Sequence, residues 1–222
     1  MIAFIADIHA NWEALRAVLR KIDEEGIREI VSLGDVCGYG PAINECCGEL
    51  RERGILNLMG NHDLLLKTGE SCGRSRSVDY AIAYQRGIIT KENYDWVCAS
   101  ADCLRTEQFF ACHGGPEDYI DQYLREPPYA LDESTGLFVS GHTHMQVLWE
   151  KDGLRYLNPG AVGQPRDGDP RAAYAVLKDD GTAELRRVEY DIDAAAEAYR
   201  NAGFPEKFWE CLYRGAGIGS AK

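Results

Sequence analysis

Five histidines mark the first part of this chain, and each keeps company with a carboxylate, an amide or a glycine. They occur in Asp7-Ile8-His9, Gly60-Asn61-His62-Asp63, His113-Gly114 and Gly141-His142-Thr143-His144, with Gly34-Asp35 as a further acidic position. Carboxylate, imidazole and amide donors together suit borderline divalent transition metals (Mn, Fe, Ni, Co or Zn), not Ca or Mg alone. The donors outnumber the needs of one ion. A carboxylate shared by two ions holds them about 3.5–4 Å apart, the spacing used for in-line displacement at phosphorus. Taken singly, a strand-end Asp or a Gly-Asn pair is an ordinary turn residue, so the weight rests on the whole set in this order.

The elements that must position these residues are short apolar runs alternating with helical patterns. Residues 2–6, 29–33 and 55–59 read as buried strands. Between them, Trp12, Leu15, Leu19 and Ile22 form one helical stripe capped by Asn11, and Ile43, Cys46, Cys47 and Leu50 form another, entered at Pro41 and stopped by Gly54. This β-α-β-α-β order predicts a parallel core. The stretch 64–105 reads as helical, with Tyr80, Ala83, Tyr84 and Ile88 on one stripe. Strands are expected at 108–112 and 137–140. Residues 116–135 read as a loop with a short helix, its aromatics at 119, 123 and 129 placed to cover a site. After 144, strands at 146–150, 154–157, 174–178 and 183–190 suggest a second, more antiparallel sheet, with a last helix over 193–201. Every motif residue then falls just after a strand and none on a helix face, where open α/β sheets collect ligands. Extended backbone would aim Asp7 with His9, and His142 with His144, the same way.

The bulk properties fit a globular protein. With 222 residues, 45% hydrophobic and 27% charged, the chain is expected to form a single domain over 1–222, and disorder, collagen and coiled coil are excluded. A net charge of −12 argues against long nucleic acid or an anionic membrane as partner. It leaves a small phosphate ester open, because bound cations invert the local field. No apolar run reaches membrane-spanning length, and the start Met1-Ile2-Ala3-Phe4 lacks a charged leader, so a cytoplasmic location with eight reduced cysteines is expected.

The ordered set from Asp7 to His144 resembles the calcineurin-like metallophosphoesterase superfamily, and Asn158–Arg171 is similar to its small prokaryotic phosphodiesterase-like branch. The resemblance implies an α/β four-layer sandwich of two mixed β-sheets flanked by helices, with two metals at one edge. It implies a first metal on Asp7, His9, Asp35 and His144, and a second on Asp35, Asn61, His113 and His142. Asp35 would bridge, and a metal-bridging hydroxide would attack phosphorus. His62 matches the family's non-ligand histidine, which either stabilises the transition state or protonates the leaving oxygen, and Asp63 would orient its ring. The catalytic expectation is therefore His62 and Asp63.

One departure narrows the function. Phosphoprotein phosphatases and symmetrical dinucleoside tetraphosphatases of the superfamily resemble G-D-x-x-x-R-G, whereas this chain has Gly34-Asp35-Val36-Cys37-Gly38-Tyr39-Gly40. Substrate contacts are expected instead from Tyr39, Asn61, His62, Arg166 and Arg171, since guanidinium grips phosphate bidentately. The expected activity is phosphodiester hydrolysis. Hydrolysis of a nucleotide or dinucleoside polyphosphate is the alternative; a phosphoprotein phosphatase, a silent binding protein and a redox metalloprotein rank lower. Asn158-Pro159-Gly160 reads as a structural turn. The aromatic C-terminal cluster of Phe204, Phe208, Trp209, Leu212 and Tyr213 is expected to cover the chain's own core, with a homodimer contact as the alternative.

Overall fold

The computed structural model describes residues 1–124, 126 and 136–219. Its first strand, β1 (Ile2–Ile5), is buried along its whole length and serves two cores at once. Ala3 and Ile5 point into one core, Ile2 and Phe4 into the other, as the two-residue period of a strand requires. An unbroken apolar run is what a central strand with both faces covered needs.

Then follow α1 (Trp12–Glu24), β2 (Glu29–Ser32), α2 (Ile43–Glu52), β3 (Leu56–Asn57), α3 (Asn61–Thr68), α4 (Arg76–Ile88), α5 (Lys91–Cys98), β4 (Cys103–Arg105) and β5 (Phe109–Cys112). The second half supplies β6 (Leu137–Val139), β7 (Gln146–Lys151), β8 (Leu154–Pro159), β9 (Ala172–Leu177), β10 (Ala183–Val188) and α6 (Ile192–Asn201), then two 3-10 turns, Glu206–Phe208 and Glu210–Arg214. Asn11 caps α1 by accepting from the Ala14 amide at 3.2 Å.

Two five-stranded mixed sheets result, ordered β10-β9-β1-β2-β3 and β4-β5-β6-β8-β7. β1, β2 and β3 run parallel, as do β5, β6 and β8, and the outer strands pair antiparallel. Between the sheets lie Phe4, Val31, Leu33, Phe109, Val139 and Leu157. Phe4 meets Phe109 edge-on, with centroids 5.0 Å apart, so one ring from each sheet closes the seam. Burying a side chain of this size contributes about 1.5–3 kcal/mol. Helical residues such as Leu15, Val18, Ile22, Ile43 and Leu50 pack on the other face of the first sheet. The α/β sandwich of two mixed sheets is thus the expected class.

Two local readings change. In α4 the buried face is Val78, Ala81, Ile82 and Gln85, while Tyr80 and Ile88 are each 42% exposed. Counting apolar residues chose the wrong face because the true one carries a glutamine. Tyr80 and Tyr84 instead meet the rings of the C-terminal cluster, Tyr80 with Phe204 and Phe208 and Tyr84 with Phe204. Phe204, Phe208 and Leu212 are buried in the chain's own main core, so those side chains are not spare for a second subunit. The stretch read as helical to 105 ends in β4, which pairs with β5. Of the expected loop over 116–135, residue 125 and residues 127–135, with the tyrosine at 129, lie outside the described residues. Among the described residues no helix is long and apolar enough to cross a membrane, and no cysteine is paired.

Candidate metal centre and active site

The motif residues meet at one edge of the two sheets. Asp7 and His9 follow β1, Asp35 follows β2, His113 follows β5, and His142 and His144 follow β6. Asn61, His62 and Asp63 form the first turn of α3, so this motif sits on a helix and not in a loop after β3. The expected extended spacing is also replaced. Asp7, His9, Ala10, Asp35, Tyr39, His142 and His144 all have φ between 46° and 66°. Left-handed backbone at non-glycine residues costs about 1–2 kcal/mol each. These turns, not pleat alternation, aim the donors inward, and strain concentrated this way is a mark of a functional site.

Gly60 lets the turns after β2 and β3 touch. A Cβ there would stand 2.1 Å from Asp35 Oδ1 and 2.3 Å from Asp35 N. The helix start then receives the Asp35 carboxylate, Oδ1 accepting from the His62 amide at 2.8 Å. Gly163 serves the opposite wall: a Cβ would lie 1.8 Å from the Ile8 carbonyl oxygen. That closeness lets the segment after β8 hydrogen-bond along 6–7, from Val162 N to Ala6 O and from Gly163 N to Asp7 O. Asn158 holds the turn at 141–144, its amide donating to Gly141 O at 2.8 Å and Thr143 Oγ1 at 3.1 Å.

Second partners fix the imidazoles. Nδ1 of His9 lies 2.7 Å from Cys37 O, Nδ1 of His113 2.9 Å from Leu33 O, and Nδ1 of His144 2.6 Å from Gln164 O. A carbonyl only accepts, so each Nδ1 carries a hydrogen and, in the neutral ring, each Nε2 presents a lone pair. Those lone pairs converge: His9 Nε2 is 3.1 Å from His144 Nε2, and His113 Nε2 is 3.3 Å from Asn61 Oδ1 and 3.4 Å from Asp35 Oδ2. His142 turns its Nδ1 inward, 3.2 Å from His113 Nε2. Asp7 Oδ1 is buried without a hydrogen-bond partner, 3.5 Å from His144 Nε2 and 4.0 Å from His9 Nε2. Acceptors facing acceptors in a buried place repel, and a cation relieves them. Asp7, His9 and His144 form one group able to hold a metal ion, and Asp35, His113 and His142 form another.

The titration behaviour has the same origin. Burial pushes Asp7 up to about 7. Burial would also raise Asp35, but His113, then His62 and His9, outweigh it and hold it well below the carboxylate range. Burial alone would lower His113, yet Asp35 outweighs it and lifts the imidazole to about 9. Burial keeps His9, His144 and His62 below the usual imidazole value. Metal ligands must be deprotonated. Metal uptake is therefore expected to release protons from these ligands: about one near pH 8 from His113, and more at pH 6 as Asp7 contributes. Apparent metal affinity should rise with pH across that window. Titration calorimetry in buffers of contrasting ionisation enthalpy measures the release, and a pH-independent count of zero would contradict it.

Residues 1–181 match the model of the calcineurin-like phosphoesterase superfamily domain. The chain belongs to this family. An uncharacterized protein of Methanocaldococcus jannaschii is 34% identical over 97% of this chain and 98% of its own length. The Escherichia coli phosphodiesterase YfcE is 29% identical over 80% of this chain and 86% of its own. A crystal structure of a metallophosphoesterase from Sphaerobacter thermophilus superposes with a TM-score of 0.83 at 31% identity, covering 96% of this chain and 98% of that one. As a calcineurin-like phosphoesterase the chain is a metal-dependent phosphoric ester hydrolase with His/Asp groups able to hold metal ions.

Around the metallophosphoesterase centre, the expected substrate residues divide. Tyr39, Asn61, His62 and Arg166 line one cavity of about 180 Å³ with Asp35, His142 and His144. Arg166 donates to Tyr39 Oη at 3.2 Å and Gln164 Oε1 at 3.0 Å, both neutral partners. Arg171 is not in this wall; its guanidinium is held by both oxygens of Asp169, at 2.6–3.1 Å. Asp63 does not orient His62. Its carboxylate accepts from the amides of Asp35 at 2.9 Å, Cys37 at 3.0 Å and Gly60 at 3.3 Å, and His62 Nδ1 is buried without a partner. A side chain already engaged with three amides has no oxygen directed at the ring. Asp63 is thus a positioning residue for the turn that carries Asp35.

Sequence reasoning missed three groups. Gln85 accepts from Gly38 N at 2.8 Å and donates to Gly38 O and Gly40 O, holding the turn of Tyr39. Arg74 lines the cavity and is held by both oxygens of Asp121 at 2.7 Å, and Asp121 lies 3.7 Å from His142 Nε2. Gln164 orients His144 with its carbonyl and Arg166 with its side chain. None of the three falls in the ordered motifs, and carbonyl partners leave no signal in residue types.

Proposed function

We propose that this metallophosphoesterase is a dinuclear phosphodiesterase acting on a small phosphate ester. The observation that carries the reading is the buried Asp7 Oδ1 without a partner, facing the Nε2 atoms of His9 and His144. Asp7, His9, Asp35 and His144 would hold one ion and Asp35, Asn61, His113 and His142 the other, of Mn, Fe, Ni, Co or Zn type. When bound, the ions supply Lewis acidity that neutralises phosphate charge and acidifies a water. Arg166, lacking an acidic partner among its hydrogen bonds, grips the phosphate from the outer rim. Asn61 and Tyr39 border the same cavity and confine the ester. His62, neutral because burial lowers its pKa and with Asp35 Oδ2 no nearer than 3.9 Å to its Nε2, donates a hydrogen bond to a phosphate oxygen and does not deliver a proton. The likeness to a phosphodiesterase supports a diester over a monoester.

Hydrolysis of bis-p-nitrophenyl phosphate and p-nitrophenyl phosphate with added Mn or Ni, beside metal analysis of the desalted protein, tests this reading. About two metals per chain and faster diester cleavage are expected; inactivity with every metal would refute it. His62→Gln should keep its metals while kcat falls about 10²-fold, as expected for the loss of one hydrogen-bond donor to transition-state charge. Metal loss from that variant would reassign His62 as a ligand.

A further inference from the structure

The cleft above the centre has a second compartment. Beside the inner cavity lies an outer chamber of about 610 Å³ that shares Tyr39, Ser75, Tyr123 and Arg166 with it. A phosphate alone needs only the inner space, whereas the outer volume falls in the range, about 300–1,000 Å³, that takes a ligand of drug size.

The walls say what kind of group fits. Tyr123 and Met145, each 46% exposed, offer an aromatic face and a polarisable thioether. Arg214, Gly215, Ala216, Gly217 and Ile218 line the same chamber. Arg214 pairs with Glu210 only at 3.6 Å, beyond a hydrogen bond, which leaves its donors open to a ligand. Among the described residues no carboxylate lines this chamber, although the chain carries 36 acidic residues and a net charge of −12. Flat apolar contact and guanidinium donors in a wall without carboxylate together suit a planar, polar-edged group joined to an anion; the amides of Gly215 and Ala216 are already bonded, to Leu212 O and Cys211 O. The chamber wall at 214–218 also lies beyond the family-matched stretch, which ends at 181.

We propose that the outer chamber is a subsite for a nucleoside-sized substituent of the phosphodiester, and that Arg214–Ile218 sets this preference. The inference rests on the phosphodiesterase reading for the place of the scissile phosphate. It makes the substrate class nucleotidyl esters, discriminated by a segment outside the catalytic motifs.

Two chromogenic diesters with the same leaving group test it on the Mn-loaded protein: thymidine 5′-p-nitrophenyl phosphate and methyl p-nitrophenyl phosphate. The thymidine ester should be favoured by about 10-fold or more in kcat/KM, and Arg214→Ala and Ala216→Phe should each bring that ratio toward about one. A wild-type ratio near one, or a ratio unmoved by both substitutions, overturns the proposal while leaving the phosphodiesterase reading intact. Calorimetric titration of the metal-free protein with thymidine 5′-monophosphate and with methyl phosphate reads the same preference without turnover. The nucleotide should bind more tightly, and Arg214→Ala should weaken the nucleotide alone, by about 5-fold. Equal binding of the two phosphates overturns the proposal. If neither ester is cleaved with any metal, the proposed function falls, and the titration decides the chamber alone.

Discussion

Asp35→Asn will leave the protein folded and strip its centre of metal. The substitution preserves shape and keeps an oxygen for the His62 amide, now 2.8 Å from Oδ1. What it removes is the negative charge at Oδ2, which lies 3.4 Å from His113 Nε2, 3.8 Å from His9 Nε2 and 3.9 Å from His62 Nε2. Among the described residues no other carboxylate lies within 4.0 Å of a ring nitrogen in both donor groups. Losing an outer partner of a ligand already costs about 10–100-fold, so loss of the shared ligand should lower kcat/KM by at least about 10³-fold. Metal analysis after desalting should show less than about one ion per chain against about two in the parent. A variant that keeps both ions and a tenth of its activity would remove Asp35 from its bridging place.

Asp63→Ala should do the reverse, unfolding the protein before it alters the chemistry. Three buried amides, those of Asp35, Cys37 and Gly60, lose their acceptor at once. An unpaired buried donor costs about 1–3 kcal/mol, so a loss of about 3 kcal/mol or more is expected. For a chain of this size that corresponds to about 6–12 °C in the unfolding temperature. The carboxylate is held there at a cost, since burial and then Asp35 raise its pKa. Calorimetry on the metal-free variant reads the stability directly. An unchanged unfolding temperature with collapsed turnover would restore Asp63 to a catalytic role.

Much of this centre is legible in residue types, and the reason is geometric. A strand end is a fixed place in an α/β sheet, so a polar residue there can be located without coordinates, and Asp7, His9, Asp35, His113, His142 and His144 do gather at one edge. How they get there is less legible. The left-handed turns at Asp7, His9, Asp35, His142 and His144 are only weakly marked in the sequence: Asp and His tolerate this backbone better than most residues, but they adopt it where their surroundings hold them there. The division between Arg166 and Arg171 was likewise open: the two share a segment, and only the neighbour each meets, Tyr39 and Gln164 for one and Asp169 for the other, separates them. The α4 face was misread because Gln85 is buried to bind main chain, which counts as polar in any pattern of apolar residues.

The seam between the sheets has a consequence for how this protein is made. Asp7, Asp35 and Asn61 arrive with the strands of the first sheet, whereas His113, His142 and His144 arrive with those of the second. A ribosome exposes the first three long before the last. Until residue 144 has emerged and the halves have docked across Phe4 and Phe109, a nascent chain offers a passing ion at most the His9, Asp35 and His62 group, and neither donor set that draws on the second sheet. Loading is thereby deferred to the end of folding, when the cell's supply of each ion, and not the order of synthesis, determines what is captured.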